Sequence, residues 1–174
     1  MKDTVTNLVL IGMPGAGKST VGVILAKQTM RAFVDTDVLI QTSQGRTLQD
    51  IVDAEGYLAL RKIEEDVLTG LDLHDHVIAT GGSAVYSDAA MMHLQSNGIV
   101  IYLDVDLSTV ESRIKDFGTR GLAKRPDQDL ADLFRERCAL YRKYAEITIC
   151  SAEMTQEEVG AAILRELGRA ASRA

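Results

Sequence analysis

The chain has 174 residues, a length typical of one domain and sufficient to bury roughly two-thirds of its unfolded surface. Its composition, 46% hydrophobic and 25% charged, is ordinary for a soluble protein, and no apolar run approaches the ~20 residues of a membrane-spanning helix. The first residues lack the basic and then apolar pattern of a signal peptide, which predicts a cytoplasmic location. The net charge of -6 argues against nucleic acid as a main partner, and we expect a monomer that binds a small molecule and no membrane.

Short apolar runs alternate with longer segments of helical periodicity, a pattern that predicts a parallel sheet with helices on both faces. Strands are predicted at residues 5–11, 32–36, 76–80, 99–104 and 146–150, and helices at 18–30, 56–72, 87–95, 107–116, 130–144 and 155–171. The sequence has no internal repeat and no linker rich in proline, glycine or serine, which predicts a single domain over residues 1–174. The predicted fold class is a three-layer α/β/α fold with five parallel strands, in which ligands gather at the carboxyl ends of the strands.

The first predicted strand leads into the segment Gly12-Met13-Pro14-Gly15-Ala16-Gly17-Lys18-Ser19, which precedes the first predicted helix. This segment matches the phosphate-binding P-loop pattern of a glycine, four residues, and then glycine, lysine and serine. In such a loop the backbone N–H groups and the helix amino terminus bind phosphates, here those of ATP. We predict that Lys18 is catalytic, that Ser19 binds magnesium, and that ATP contacts come from Gly15, Ala16, Gly17, Lys18, Ser19 and Thr20. The alternative is a glycine-rich turn with a capping serine.

The second predicted strand ends in two carboxylates, Asp35 and Asp37, separated by Thr36. Alternation along a strand would place both carboxylates on one face, where two adjacent like charges are unfavourable unless a cation or a hydroxyl uses them. We predict that Asp35 holds magnesium through water, and that Asp37 contacts the acceptor hydroxyl as the catalytic base. The alternative is that Asp37 caps a helix while Asp35 is solvated beside it.

The predicted helix at residues 56–72 carries Glu64 in the middle of its apolar face and Arg61 at the edge of that face. Because an unpaired buried carboxylate is unfavourable, Arg61, three residues earlier, is the predicted partner of Glu64. Such a pair uses only part of the guanidinium group, which leaves N–H donors free for an anionic group of the substrate. The alternative is an ion pair with a purely structural role.

A glycine turn, Gly81-Gly82-Ser83, follows the third predicted strand. It therefore lies at the predicted ligand end of the sheet. Paired glycines permit close approach of the backbone to a ligand, so these three residues are predicted to contact the substrate, although a plain turn fits the sequence equally well.

A segment without clear periodicity occupies residues 117–129 and includes Gly118, Gly121 and Pro126. It predicts a mobile loop, whose functional form would be a small lid over about residues 113–129. Basic residues are concentrated between positions 113 and 125, where Asp116 is the one acid; they are Arg113, Lys115, Arg120, Lys124 and Arg125. In an acidic chain this concentration of positive charge predicts contact with a small anion.

The predicted helix at residues 130–144 places Arg137 among the apolar residues of one face. No acid occupies the neighbouring turns of that face, so the buried guanidinium needs an anion from elsewhere. A substrate carboxylate is the predicted partner. The alternative is that the side chain of Arg137 extends past its apolar neighbours to the solvent.

Taken together, these motifs resemble the shikimate kinase family, P-loop enzymes that phosphorylate the 3-hydroxyl of shikimate in aromatic amino acid biosynthesis. The resemblance extends over residues 8–150. It implies that the enzyme uses ATP and Mg²⁺, and that the carboxylates Asp35 and Asp37 contribute magnesium and substrate contacts. It also implies that Arg61 and Arg137 hold the substrate carboxylate.

The resemblance further implies roles for residues of the predicted lid. Arg120 best matches a lid arginine that contacts phosphate, so it is a predicted catalytic and ATP-binding residue. Arg113 resembles an arginine that packs against adenine. The glycine turn at residues 81–83 resembles a glycine triplet that closes round the substrate ring.

Departures from the family pattern lie on the substrate side: Ser83 replaces a glycine, Leu60 and Val52 replace aromatic residues, and Gly121 replaces the lid proline. Because these changes affect mainly apolar contacts, we expect shikimate turnover with a KM higher than is usual for the family. One alternative is a kinase of another small hydroxy acid or polyol, or a nucleotide or gluconate kinase. A second is a nucleotide-binding regulator without transfer activity, which the presence of Lys18 and of both carboxylates disfavours.

Overall fold

The computed structural model describes residues 6–114 and 121–172. Its strands are β1 (Asn7–Ile11), β2 (Ala32–Asp35), β3 (His76–Ala79), β4 (Gly98–Asp104) and β5 (Ile147–Cys150). They form one sheet in the order β2-β3-β1-β4-β5, and every neighbouring pair is parallel. The prediction of a five-stranded parallel sheet is confirmed.

The helices are α1 (Lys18–Thr29), α2 (Thr36–Gln44), α3 (Leu48–Glu55), α4 (Tyr57–Thr69), α5 (Asp88–Asn97), α6 (Leu107–Arg113), α7 (Leu130–Tyr144) and α8 (Gln156–Ala171). A short 3₁₀ helix, Ala84–Tyr86, precedes α5. Helix α1 packs with α8, whereas α4 packs with α5 and with the 3₁₀ helix. The predicted α/β fold with helix layers on the sheet is thus confirmed. No helix among residues 6–114 and 121–172 has both the length and the apolar character needed to span a membrane.

The central strand β1 explains how the core is built. All five of its residues are buried, because β3 and β4 flank it in the sheet and helices cover it. A strand covered on both faces has a continuous apolar run instead of alternating apolar and polar residues, and residues 8–11 are such a run. The strand therefore fixes the position of the loop that follows it.

Two helices, α2 and α3, occupy a stretch in which the sequence pattern predicts no element. Side chains cap both of them: Asp35 accepts hydrogen bonds from the first turn of α2, and Thr47 and Asp50 form a capping box at α3. Their apolar residues form a second, small core with α4 and with Ala123. This small core builds one wall of the cavity described below.

The predicted lid is only partly within the described residues, because residues 115–120 lie outside them. The remainder, residues 121–129, has no helix and packs against the small core. The N–H of Gly121 donates to Gln49 Oε1 at 2.7 Å, and Ala123 is only 2% exposed. This part of the loop therefore closes one side of the cavity.

Candidate active site

A cavity of about 480 Å³ opens at the carboxyl ends of the strands. Its walls come from the P-loop, the carboxylates that follow β2, the turn that follows β3, helix α4 and residues 121–123. The predicted site residues that line it are Gly15, Gly17, Lys18, Ser19, Thr20, Asp35, Asp37, Gly81, Gly82, Ser83 and Arg137. Segments far apart in the sequence thus meet at one place, as the predicted fold requires.

The P-loop forms the phosphate end of this cavity. The ammonium group of Lys18 donates to the carbonyl oxygens of Gly12 and Met13 at 2.7 and 2.9 Å. Helix α1 begins after Gly17, where no side chain caps it, so its first N–H groups remain available to an anion. Burial lowers the pKa of Lys18 to about 8, although the charge of Asp37 opposes this shift. A loop with free N–H donors and a lysine beside it fits phosphate groups.

Ser19 and Asp35 form a pair of oxygen donors beside the loop. The hydroxyl of Ser19 donates to Asp35 Oδ2 at 2.5 Å, while Asp35 Oδ1 accepts from the backbone N–H groups of Asp37 and Val38. A hydroxyl and a carboxylate are hard oxygen ligands of the type that Mg²⁺ prefers. The residues present therefore fit a magnesium ion bound together with phosphates.

The position of Asp37 differs from the predicted geometry. Strand β2 ends at Asp35, and Asp37 lies in the first turn of α2, so strand alternation is not what brings the two carboxylates together. The alternative that Asp37 is the cap is also wrong, because Asp35 is the N-cap. Both carboxylates nevertheless line the cavity. Burial raises the pKa of Asp37 above its ordinary value, against an opposing effect from the charge of Lys18.

The predicted pair between Arg61 and Glu64 is wrong. Glu64, which is 3% exposed, instead accepts a hydrogen bond from the hydroxyl of Ser83, and its Oε1 has no partner among the described residues. Arg61 lies over the ring of Tyr86, with its Cζ 3.5 Å from the ring centroid. The contacts of both side chains with Ser83 and Tyr86 thus come from outside α4. Burial, and secondarily the charge of Asp37, raises the pKa of Glu64 to about 7.

The ends of three predicted functional side chains pack closely against Gly81 and Gly82. A Cβ on Gly81 would overlap Glu64 Oε1 and would lie 2.7 Å from Asp37 Oδ1. A Cβ on Gly82 would lie 2.7 Å from Arg137 Nη1. The turn therefore has glycines where the two carboxylates and an arginine approach the backbone. Contact of this turn with the substrate stays a prediction.

Arg137 is buried at 1% exposure, so the alternative of an arginine extending to solvent is wrong. Its Nη2 donates to the carbonyl oxygen of Ala123 at 3.1 Å, and its Nε has no partner among the described residues. Arg61 Nη2 donates to the same carbonyl oxygen at 3.0 Å. Within the described part of the chain neither arginine has an ion pair with a carboxylate. Two guanidinium groups thus converge on a single neutral acceptor, an arrangement suited to an anion.

The remaining predicted residues lie around this centre. Ala16 is buried within the P-loop, and Arg61 lines a neighbouring cavity of about 300 Å³ that also contains Tyr86. Arg113, at the end of α6, donates to the carbonyl oxygen of Gly15 at 3.0 Å, which puts it at the edge of the P-loop. Arg120 lies outside the described residues. Sequence reasoning missed Tyr86, and no local pattern marks it as a partner of the arginines.

Three comparisons relate this chain to known proteins. A family model described as shikimate kinase matches residues 14–168. Shikimate kinase 2 of Enterobacter sp. (strain 638) is 36% identical over 91% of this chain and 93% of that protein, and shikimate kinase of Pseudomonas aeruginosa (strain LESB58) is 38% identical over 92% and 95%.

The structure of shikimate kinase from Acinetobacter baumannii in complex with shikimate superposes with a TM-score of 0.86 at 34% identity, covering 94% of this chain and 93% of that one. The match of fold therefore extends over nearly the whole chain. Together with the family model, these similarities establish that the chain belongs to the shikimate kinase family.

Proposed function

We propose that this chain transfers the terminal phosphoryl group of ATP to the 3-hydroxyl of shikimate, giving shikimate 3-phosphate and ADP. One observation carries the proposal: two guanidinium groups, of Arg61 and Arg137, converge on one acceptor atom beside a cavity whose other end is a P-loop. A substrate with a carboxylate and a hydroxyl on one small ring fits this arrangement.

The phosphate end of the cavity would bind ATP. The P-loop residues Gly15, Ala16, Gly17, Lys18, Ser19 and Thr20 are the proposed contacts, with Arg113 beside them. Lys18 would stabilise the negative charge that develops on the transferred phosphoryl group. Ser19 and Asp35 would hold Mg²⁺, which when bound neutralises charge on the phosphates. Arg120 stays a prediction as the catalytic arginine of the lid.

The acceptor end would bind shikimate. Arg61 and Arg137 would bind its carboxylate, and this contact would replace the carbonyl oxygen of Ala123 as their acceptor. The turn at Gly81, Gly82 and Ser83 would line the ring. Leu60, which stands where an aromatic residue is expected in the family, lines the cavity together with Ile40 and Leu48. Val52, the other such departure, packs against the small core instead. The remaining apolar wall is consistent with weaker but retained binding.

Asp37 would act as the base. Its raised pKa makes it a better proton acceptor than an ordinary aspartate, while the neighbouring charge of Lys18 helps to keep it ionised. As the 3-hydroxyl oxygen attacks the γ-phosphorus, Asp37 takes the hydroxyl proton and the bond to the ADP oxygen breaks. The proton thus ends on Asp37 and the electron pair leaves with ADP.

We further propose that the chain works as a cytoplasmic monomer. The cavity is lined by residues of a single chain, from the P-loop to Arg137, so no second subunit is needed to complete it. The net charge of -6 also disfavours nucleic acid as a partner.

Arg137→Ala tests the proposed function through the carboxylate of the acceptor. Truncating one partner of a buried charge pair typically loses ~2 to 5 kcal/mol, so kcat/KM for shikimate should fall by at least ~30-fold. With an uncharged shikimate ester the same substitution should have a much smaller effect, because the ester offers no charge to pair with Arg137. Steady-state ADP release measures both values.

Arg135→Ala is the matched control for this experiment. Arg135 lies on the same helix, is exposed, and pairs with Asp132, so its removal should change kcat/KM by less than about twofold. Circular dichroism should show that both variants remain folded. An equal loss with the acid and with the ester would contradict the role of Arg137 in binding the carboxylate.

A further inference from the structure

We propose that Tyr86 is a positioning residue for the acceptor: its ring orients the guanidinium groups of Arg61 and Arg137 toward one anion. This inference rests on the proposed function, since it assigns a residue to the recognition of the acceptor carboxylate. Tyr86 is the last residue of the 3₁₀ helix that follows the turn at residues 81–83.

The ring of Tyr86 lies within cation–π distance of both arginines. The Cζ of Arg61 is 3.5 Å from the ring centroid, and the Cζ of Arg137 is 5.6 Å from it. The arginines come from different helices, α4 and α7, and the ring is one surface that both of them contact. Because a ring face carries partial negative charge, it also offsets the repulsion between two cations held close together.

The hydroxyl of Tyr86 holds the ring in place. It donates to Glu136 Oε1 at 2.5 Å, and Glu136 Oε2 in turn accepts from Arg125 at 3.2 Å and from Gln128 at 3.1 Å. The ring is thus fixed at its hydroxyl end by α7 and by the loop before it. A tyrosine fixed in this way has little freedom left, so it provides a rigid surface for a flexible arginine.

Arg61 is the arginine that needs such a surface. It is half-buried, lines the neighbouring cavity of about 300 Å³, and has no ion pair among the described residues. A long side chain next to open space loses rotamer freedom when it binds an anion, unless another group already orders it. Contact with Tyr86 orders Arg61 before the acceptor arrives, which should lower the KM for a carboxylate substrate.

A purely structural role of Tyr86 makes a different prediction. If the ring only filled space, its loss would affect charged and uncharged acceptors alike, together with stability. If the ring positions the arginines, its loss should affect only acceptors that carry a carboxylate. Comparison of shikimate with its uncharged ester therefore separates the two roles.

The experiment measures KM for shikimate, for the ester and for ATP in the wild type, Tyr86→Leu and Tyr86→Phe. Tyr86→Leu should raise KM for shikimate about 10-fold, equivalent to ~1.4 kcal/mol, while KM for ATP and kcat change by less than about twofold. KM for the ester should be nearly unchanged. Tyr86→Phe keeps the ring and loses only the hydroxyl that donates to Glu136, so KM for shikimate should rise less, about threefold.

Tyr57→Leu is the matched control. Tyr57 also faces Arg61, but its ring centroid is 5.1 Å from the arginine Cζ. The ring of Tyr86 is closer and also reaches Arg137, so Tyr57→Leu should change KM for shikimate less than Tyr86→Leu does. If Tyr86→Leu does not fold, Glu136→Gln takes its place in the test. This substitution weakens the hydrogen bond that holds the ring of Tyr86, so it should raise KM about threefold for shikimate and leave KM for the ester unchanged.

The results separate this inference from the proposed function. An unchanged KM for shikimate in Tyr86→Leu, or an equal rise for acid and ester, would overturn the positioning role while wild-type shikimate turnover still supports the proposed function. If the wild type uses a different hydroxy acid, the proposed acceptor is wrong, and the comparison is repeated with that acid and its ester. A wild type that uses no carboxylate acceptor would overturn both.

Discussion

Replacement of Lys18 by alanine is expected to lower kcat at least ~100-fold, the scale of losing one electrostatic stabiliser in an active site. The ammonium group of Lys18 is buried and is held by the carbonyl oxygens of Gly12 and Met13, at the mouth of the loop that would bind the phosphates. No other side chain of the P-loop carries a positive charge. Initial rates of ADP release with saturating ATP and shikimate measure the effect.

Lys27→Ala is the control for this prediction, because Lys27 lies in the last turn of the same helix and is exposed. It should retain wild-type turnover. Circular dichroism should show that the Lys18 variant keeps its helices, so that a loss of rate is not a loss of fold. Near wild-type turnover in Lys18→Ala would show that this lysine does not stabilise the transferred phosphoryl group.

Replacement of Asp37 by asparagine should lower kcat by about 100-fold to 10,000-fold, the usual contribution of a positioned general base. Asparagine has nearly the same shape but cannot take the hydroxyl proton, so binding of ATP should be little affected. Calorimetric titration with an ATP analogue checks the binding, and ADP release checks the rate. Asp53→Asn, an exposed position on α3, is the control and should have no effect.

The same assignment predicts the pH dependence of the wild type. The base must be ionised to accept a proton. Because burial raises the pKa of Asp37, kcat/KM should already fall with decreasing pH at values above ~3.9, the ordinary pKa of an aspartate. Glu64 nearby also has a raised pKa, about 7, and the two groups will give coupled apparent values. A profile that stays flat down to the ordinary aspartate pKa of ~3.9, or a fully active Asp37→Asn, would contradict the role of Asp37 as the base.

Those parts of the fold with strong local patterns could be predicted from the sequence. The buried strand β1 and the P-loop after it are defined by a continuous apolar run and by a motif, both of which are local. Helix α7 has the predicted bounds, since Asp129 caps its first turn and the apolar face ends at Tyr144. In these cases the local preference and the tertiary structure agree.

Contacts between residues distant in the sequence determine those parts of the structure that local sequence patterns do not predict. Helices α2 and α3 are short, and they are stabilised by capping and by a small core in which Ile40 and Ile51 meet Ala123, more than 70 positions further along the chain than Ile51. The i, i+3 spacing of Arg61 and Glu64 predicts an ion pair, but Ser83 and Tyr86, distant in sequence, bind these residues instead. Asp37 lines the predicted cavity from the first turn of α2, a position that the alternation of side chains along a strand does not predict.

The most direct test of this account is a parallel measurement of kcat/KM, by ADP release with ATP and Mg²⁺, for shikimate, quinate, gluconate and nucleoside monophosphates. The convergence of Arg61 and Arg137 near a P-loop predicts that shikimate gives the highest value. Values for the nucleoside monophosphates should be near background. No turnover of shikimate, together with efficient phosphorylation of any of the others, would contradict the proposed function.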